Sequence, residues 1–506
     1  MKEILLQKRI ITRMAPSPTG YLHIGTARTA LINYIFAKQN QGGFILRIED
    51  TDLERSDVKF EDDIVDGLLW LGISWDEGIR VGGNNAPYRQ SERTAIYKKY
   101  IKELLEQGRA YHCFCSTEEL DSHRQSMLIS GKSTIYSGKC SGIGPKEVKD
   151  RISKGEKSII RFRSPLKKII FEDIIKGSIE FETDLIGDIV IAKNEDTPLY
   201  NFAVVVDDHE MGVTHLIRGE DHLSNTPKQI IMQEALGFKK QIYAHLPLVL
   251  GSDKRKLSKR ENALSLIEYK KDGYLPEAIV NFLMTLGWNS GDDREIFSID
   301  ELIKEFKLEK FQKAGAIFNI KKLDWFNAYY IKNKDIGELT EFCIPYLEAS
   351  DLIEDIGNHK YLIKKTQRKV DIKWIESVIK LEKERIKKLS EISYAVSFFF
   401  IDDILFNNKN ILIWKKSNKD DTVEVLKKIL DIFDSIKISH FNKEELKNAL
   451  SNLADEYGNG SIYWPLRVAL SGREASPGPL EIAEVLGKEI TISRVKNAIL
   501  LLSENK

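Results

Sequence analysis

Two stretches far apart in the 506-residue chain carry the residue types needed to handle a nucleoside triphosphate. The first runs from Arg13 through Pro16-Ser17-Pro18-Thr19-Gly20-Tyr21-Leu22-His23-Ile24-Gly25 into a helical pattern. The first turn of a helix offers unpaired N–H groups and a partial positive charge, so phosphate is a natural guest there. His23 adds a donor that can follow charge onto a phosphate oxygen. Gly20 and Gly25 carry no side chain, which lets a base or ribose lie against the backbone. The second stretch, Lys256-Leu257-Ser258-Lys259-Arg260, puts two lysines three residues apart beside a small hydroxyl, just after the apolar run Leu246-Pro247-Leu248-Val249-Leu250. Such a loop can close over a triphosphate and stabilise charge building on the α-phosphate and on leaving pyrophosphate. Alone, each motif reads as an exposed turn or a solvated basic loop; together, in this order, they are much more specific.

Two further groups of side chains could do chemistry. Glu49, Asp50 and Asp52 cluster at the end of a second strand, where they would cap the next helix or hold a metal. Cys113-Phe114-Cys115 is followed 25 residues later by Cys140. Thiolates on alternate residues of a knuckle can converge on one soft ion; the alternative is three reduced thiols that only pack near one another. Cys343, between Phe342 and Ile344, reads as core.

The elements that must position these groups follow from periodicity. Arg9 to Thr12 reads as a short buried strand. Ala27, Ala30, Leu31, Tyr34, Ile35 and Ala37 recur at helical spacing until Gly42-Gly43, and Phe44 to Ile48 gives a second strand. Strand, Pro/Gly turn, helix and strand make a βαβ unit, whose ligands lie beyond the carboxyl ends of the strands. Glu54 to Leu71 and Ser91 to Gly108 read as amphipathic helices, with Gly72 to Trp75 as the start of a strand between them. After Arg109 the pattern changes, and an insertion with strand-like alternation through Ile159-Ile160-Arg161-Phe162-Arg163 and Ile179-Glu180-Phe181 separates the two halves of the fold. The apolar strand Val213 to Ile217, followed by Arg218-Gly219-Glu220-Asp221-His222, returns to it. From about Asp292 onward helices dominate.

Composition bounds the class without naming it. A chain of this length with 42% hydrophobic residues can bury more than one core. No apolar run approaches the ~20 residues that span a bilayer, and the first residues, Met1 to Arg9, lack the pattern of a secretory signal, so a cytoplasmic protein is expected. Lys+Arg equals Asp+Glu at 76 each, so an RNA-binding surface has to be a local patch. Lys360 to Lys388, with eleven Lys/Arg against four Asp/Glu, is one such stretch, although solvated helix faces also look like this.

With these residues in hand, the chain resembles the bacterial glutamyl-tRNA synthetases, class I aminoacyl-tRNA synthetases. Pro16-Ser17-Pro18-Thr19-Gly20-Tyr21-Leu22-His23-Ile24-Gly25-Thr26 stands for the first class motif and Lys256 to Arg260 for the second. Arg47-Ile48-Glu49-Asp50-Thr51-Asp52, Pro87 to Arg93 and Tyr200 to Asp208 match as well. The resemblance is strong over about the first 330 residues and looser beyond. It implies a multidomain fold: an α/β Rossmann-like catalytic domain in two halves, 1–110 and 199–250, and an inserted α+β acceptor-end-binding domain, 111–198. A lysine-motif loop with a tRNA stem-contact domain, 251–330, and an all-α anticodon-binding region in two subdomains, 331–506, complete it. The implied activity is ATP-dependent activation of glutamate to glutamyl-adenylate and transfer to the terminal adenosine of tRNA(Glu). Charging of tRNA(Gln) is left open, and a monomer is expected.

The resemblance also distributes roles. His23, Lys256 and Lys259 are the catalytic groups, and Gly20, Gly25 and Ser258 join them in holding ATP with its Mg²⁺. Glutamate has two carboxylates and one ammonium, so its pocket needs two cations and an anion, with guanidinium suited to planar pairing. The family places Arg13, helped by Tyr200, on the side-chain carboxylate, Arg218 on the α-carboxylate, and Glu49 with Ser17 on the amine. Some relatives carry one structural zinc in the insertion, which assigns Cys113, Cys115, Tyr136 and Cys140 as ligands, with His112 as the alternative to Tyr136. Basic residues on one C-terminal helix, such as Lys383 and Arg385, become candidates for anticodon contact. Two departures stand out: Val204 replaces an asparagine of some relatives, and Glu261-Asn262 follows the second motif where many relatives have histidine and glycine. Glutaminyl-tRNA synthetase, a small nucleotidyltransferase and an inactive tRNA-binding protein are the competing readings. The helical C-terminal third, the chain length and the intact His23, Lys256 and Lys259 count against each in turn.

Overall fold

The computed structural model describes residues 9–131, 134–257, 265–406 and 408–504. The described chain divides into two compact units, one of residues up to 270 together with 276–322, the other of 271–275 and 323 onward.

The first unit opens on β1 (Ile11–Met14), α1 (Ile24–Gln39) and β2 (Gly43–Leu46), the expected βαβ unit. β1 and β2 pair in parallel with Arg13 beside Ile45. α1 is apolar on most sides, with Ala27, Ala30, Leu31 and Ile35 fully excluded from water, as a helix buried against a sheet must be. His23 caps its start, and Gln41 in a left-handed conformation (φ 50°) ends it. α2 (Val58–Trp70) leads to β3 (Glu77–Gly78) and α3 (Thr94–Glu106). The strand expected at Gly72 to Trp75 is a turn instead. Gly72 has φ 75°, and the chain reaches parallel pairing with β2 only at Glu77 and Gly78.

The insertion begins with β4 (Ala110–Cys113), α4 (Thr117–Ile129) and α5 (Pro145–Ser153), followed by β5 (Ile159–Phe162), β6 (Lys168–Asp173), β7 (Gly177–Glu182), β8 (Ile189–Asn194) and β9 (Thr197–Pro198). β4-β5-β8-β9 form one antiparallel sheet. β6 and β7 form a hairpin that joins a different sheet, in the order β10-β11-β6-β7. There β10 (His215–Gly219) and β11 (Ile242–Leu246) follow α6 (Tyr200–Glu210) and flank α7 (Thr226–Ala235). Thr214, one residue before β10, joins this sheet to β1: its N–H donates to the Ile11 carbonyl at 2.9 Å. The carboxyl ends of β1, β2 and β10 therefore open on one side, where a class of α/β folds binds ligand. β12 (Val249–Leu250), α8 (Leu266–Lys271), α9 (Pro276–Thr285), α10 (Ile299–Glu305), β13 (Ala316–Ile317) and α11 (Ile320–Asn333) follow.

The second unit is helical, from α12 (Ile336–Ala349) through α13 (Ile372–Glu382), α14 (Ile392–Val396), α15 (Lys419–Ser435), α16 (Lys443–Tyr457), α17 (Asn459–Ser471), α18 (Pro479–Leu486) and α19 (Lys488–Ser503). A small antiparallel sheet, Ile353–Asp355, Lys360–Ile363 and Lys369–Asp371, precedes α13. Arg494 on α19 is buried and donates only to carbonyls, those of Asp402, Phe398, Ile401 and Leu470. It ties the long segment after α14 to the last helix. Lys383 and Arg385 do not share a helix: α13 ends at Glu382, Lys383 donates to the Lys334 carbonyl at 3.1 Å, and Arg385 pairs with Glu382 at 3.1 Å.

A close approach fixes where α1 hands over to β2. A Cβ at Gly42 would lie 2.3 Å from the Ile10 carbonyl oxygen, whereas one at Gly142 would meet no atom within 4 Å. Gly42→Ala should therefore cost ~1–3 kcal/mol through forced backbone movement, read as a lower urea midpoint, while Gly142→Ala should leave the midpoint unchanged.

Candidate active site

At the carboxyl ends of β1 and β2, six buried charges form one network. Arg13 donates through Nε to Asp208 Oδ1 at 3.1 Å and through Nη2 to Oδ2 at 3.4 Å. Arg47 donates to the same Asp208 at 2.9 Å and to Glu49 at 3.0 Å, and its Nε lies 3.6 Å from Asp207. Asp207 in turn accepts from Arg93 at 2.6 Å, Gln90 at 2.8 Å and the Tyr97 hydroxyl at 2.9 Å. Arg47 and Asp207 are 0% exposed. Burial alone would lower the Arg47 pKa, but Asp208, Asp207 and Glu49 hold it above its ordinary value. Burial favours protonation of Asp208, and Arg13 and Arg47 outweigh it. At Glu49 burial wins, and its pKa is raised despite Arg47 and Arg13.

The residues expected to hold glutamate converge here. Tyr200 begins α6, with its hydroxyl 3.0 Å from His222 Nδ1. Its pKa is raised by burial and by Glu49, and opposed by Arg218 and Arg13, so the four groups share one electrostatic neighbourhood. Arg218, on β10, is buried and has its pKa lowered by burial. Its Nε and Nη2 are engaged, but Nη1 is a buried donor with no partner among the described residues. An unpaired buried donor costs roughly 1–3 kcal/mol, so Nη1 is a natural place for a ligand anion. Ser17 is exposed on the turn after β1, whose Pro16 carbonyl accepts from the Glu49 N–H at 3.0 Å. Val204 is buried one helical turn from both Tyr200 and Asp208, and gives that face an apolar wall.

The segment that follows the second motif packs on the first, although more than 200 residues separate them in sequence. His23 is exposed, and its Nδ1 accepts from the Thr26 N–H at 3.3 Å. A Cβ at Gly25 would press on the His23 ring at 3.3 Å, while nothing in the described protein crowds Gly20. Leu257 donates to the Val249 carbonyl at 3.0 Å, and the chain returns at Ser265, bridged to His23, with Leu266 donating to Leu22 at 2.7 Å. Lys256 is paired with Asp221 at 2.7 Å. Ser258, Lys259, Glu261 and Asn262 lie outside the described residues.

In the insertion the Sγ atoms of Cys113, Cys115 and Cys140 all lie within 4.8 Å of one another, with Cys115 to Cys140 at 3.6 Å. The Tyr136 hydroxyl is 3.3 Å from Cys113 Sγ and 3.5 Å from Cys115 Sγ. His112, on the opposite face of β4, bonds Ser158 at 2.9 Å and takes no part. Burial pushes the Cys115 thiol up to about 11. At Cys113 burial acts the same way but is outweighed by hydrogen bonds from Tyr136, the Cys115 amide and Arg161, which lower it. Three soft sulfurs this close together could hold a metal ion, with the Tyr136 hydroxyl beside two of them.

Sequence reasoning quoted Arg47, Asp207 and Asp208 only as parts of matching runs, and gave no role to Asp173, His245 or Asp221. No spacing rule could have found them, because their partners are distant in sequence.

This nucleotide fold, with its H-x-G turn, lysine motif and buried arginine–carboxylate network, is that of a class I tRNA synthetase. Residues 9–325 match the family model for tRNA synthetases class I (E and Q), catalytic domain, and 338–499 match an anticodon binding domain. The chain is 42% identical over 490 residues to a glutamate–tRNA ligase of Carboxydothermus hydrogenoformans, covering 96% of this chain and 98% of that one. It is 44% identical over 497 residues to glutamate–tRNA ligase 1 of Caldicellulosiruptor saccharolyticus, covering 96% and 98%. A crystal structure of a glutamate tRNA ligase from Elizabethkingia meningosepticum in complex with its amino acid superposes with a TM-score of 0.87 at 34% identity, over 98% of this chain and 100% of that one. The chain belongs to the bacterial glutamate–tRNA ligases, enzymes that activate glutamate as an adenylate and transfer it to tRNA(Glu).

The network makes a stability prediction. Arg47→Met removes a buried cation from three carboxylates, and breaking a buried pair typically costs ~3–5 kcal/mol. Thermal unfolding of the variant should begin well below that of the wild type.

Proposed function

We propose that glutamate binds between Arg13, Glu49, Tyr200 and Arg218, with Ser17 at the mouth. Arg13 and Tyr200 take the side-chain carboxylate, Arg218 the α-carboxylate, and Glu49 with Ser17 the amine. The observation that carries this reading is the buried, unpartnered Nη1 of Arg218 in a neighbourhood with a second guanidinium and a carboxylate. Two cations and one anion match the charges of glutamate; glutamine would leave one cation unpaired. ATP lies across the Gly20–Gly25 turn, which leaves room for base and ribose, and Mg²⁺ enters with it on the phosphate oxygens. The α-carboxylate oxygen attacks the ATP α-phosphorus, and the bond to pyrophosphate breaks. His23, Lys256 and Lys259 stabilise the charge that builds there, with Ser258 beside them. Pairing of Lys256 with Asp221 keeps that lysine next to the pocket before ATP arrives. The terminal adenosine hydroxyl of tRNA then takes the glutamyl group and AMP leaves, with no side-chain nucleophile.

In the same reading 111–198 holds the acceptor end, 251–330 the stem and 331–506 the anticodon loop. Cys113, Cys115, Tyr136 and Cys140 hold one Zn²⁺ that stabilises the insertion's knuckle; four protein ligands leave no open position for chemistry. The enzyme works as a monomer in the cytoplasm, where tRNA is found and free thiols persist.

Side-by-side aminoacylation with glutamate and glutamine tests the pocket. Arg13→Lys, which keeps the charge beside Asp208 but loses the fork, should raise the glutamate KM by about tenfold or more with little change for ATP. An unchanged glutamate KM removes Arg13 from the pocket. For the insertion, elemental analysis should find about one zinc per chain, lost in Cys113→Ser together with tRNA affinity more than ATP affinity. Metal-free protein from a chelator-free preparation would refute the ligand assignment.

A further inference from the structure

β10 and β11 pair with Arg218 beside His245. His245 is completely buried, and its Nδ1 lies 2.6 Å from Oδ2 of Asp173, itself buried at the end of β6. A carboxylate accepts but does not donate, so His245 carries its proton on Nδ1 and presents Nε2 as an acceptor. Two donors meet that acceptor: Arg218 Nε at 3.3 Å and the Thr226 hydroxyl at 3.0 Å. The same hydroxyl accepts from Arg218 Nη2 at 2.9 Å. Asp173, His245, Thr226 and Arg218 thus form a connected chain, in which the Thr226 hydroxyl lies nearer His245 Nε2 at 3.0 Å than its other acceptor, the His222 carbonyl, at 3.3 Å. It engages two nitrogens of the guanidinium and leaves the third, Nη1, without a partner. Burial lowers the His245 pKa, which agrees with a neutral ring; an imidazolium would turn an N–H toward the Arg218 donor.

We propose that Asp173 and His245 are positioning residues for amino-acid selection, which fix the plane of the Arg218 guanidinium so that its Nη1 edge meets the substrate α-carboxylate. The inference rests on the reading of Arg218 as the α-carboxylate ligand. It adds that the orientation of this arginine is set from the insertion. β6 reaches the parallel sheet only by its last residue, where Asp173 pairs with Tyr243 and Ile174 donates to the Tyr243 carbonyl at 2.9 Å. The hairpin turn that follows is anchored beside the same pocket. Lys176 pairs with Glu220 and donates to the Lys313 carbonyl at 2.6 Å, and Glu220 accepts from the Leu248 N–H at 2.9 Å. Asp173 also accepts from the Ile175 and Lys176 amides at 2.9 and 2.8 Å, so turn and imidazole are held by one carboxylate. A displacement of the hairpin is therefore felt at Arg218 through two hydrogen bonds, Asp173 to His245 at 2.6 Å and Arg218 to His245 at 3.3 Å.

The test is steady-state aminoacylation by the full-length enzyme, with KM for glutamate, KM for ATP and kcat measured alongside the melting temperature. His245→Leu removes the acceptor and should raise the glutamate KM by about tenfold or more, leaving the ATP KM within about twofold. His245→Gln, which puts an amide oxygen near the Nε2 position, should bring the glutamate KM back to within about threefold of wild type. Thr226→Val against Thr226→Ser makes the same comparison away from the histidine, and serves if His245→Leu does not fold. A His245→Leu enzyme that melts like wild type and keeps its glutamate KM overturns the proposal. So does a pattern in which the Leu and Gln variants lose glutamate and ATP affinity alike, since that marks a purely structural pair. Arg218→Lys separates the two levels: if it leaves the glutamate KM unchanged, the α-carboxylate assignment itself fails, whatever His245 does.

Discussion

Three guanidinium groups and three carboxylates, taken out of water together, hold the catalytic unit in one arrangement. Arg13, Arg47 and Arg93 face Glu49, Asp207 and Asp208, and the six charges cancel. Each alone would be prohibitively costly to bury; as a set they offset one another, with Arg47 Nε held to Asp207 by charge at 3.6 Å rather than by a hydrogen bond. The geometric consequence matters as much as the energy. Arg13 lies on β1, Arg47 just past the end of β2 and Arg93 just before α3, all ahead of the insertion, whereas both aspartates lie on α6 after it. The network is what closes the two halves of the nucleotide fold over the intervening segment. Strict directionality of the guanidinium–carboxylate pairs gives that closure a single register, which hydrophobic contact between helix and sheet would not.

The same kind of interaction orients the two arginines of the proposed glutamate pocket. Because Asp208 takes Nε and Nη2 of Arg13, and His245 with Thr226 takes Nε and Nη2 of Arg218, each arginine is oriented by protein groups, and in the proposed pocket its remaining edge is the one that would meet substrate. Preorganised cations of this sort lose little when ligand arrives, and they discriminate by leaving an unpaired buried charge when the wrong amino acid binds. The insertion contributes to both ends of this arrangement: Asp173 reaches the arginine, and Lys176 reaches Glu220, next to Asp221 and its lysine partner.

The cysteine knuckle illustrates how a local pattern becomes a cluster. Cys113 and Cys115 lie at the end of β4, and Tyr136 and Cys140 return beside them, so the β4 strand and the loop after α4 are tied at one point. Strand alternation turns His112 toward Ser158, away from the face that Cys113 shares, and leaves the Tyr136 hydroxyl 3.3 Å from Cys113 Sγ.

Much of this was legible in the residues themselves. Apolar spacing marked α1 and β2, the glycines at Gly42 and Gly43 marked their junction, and the H-x-G turn and lysine motif pointed to triphosphate chemistry because residue type alone fixes what a side chain can donate or stabilise. The charges of glutamate, set against Arg13, Glu49 and Arg218, made a pocket imaginable once the resemblance was seen. Local signals failed at Gly72 to Trp75, where only pairing with β2 decides where a strand begins, and at Lys383 and Arg385, where the helix stops short of both. What the tertiary structure alone decided is which edge of each arginine is free, that Arg47 and Asp207 are the buried centre, and that Asp173 and His245 stand behind Arg218. Those relations join residues 195, 161 and 72 positions apart. Local sequence encodes the donor and acceptor capacity of each group, but the partner it meets is set by chain topology and burial, which exist only once the fold has closed.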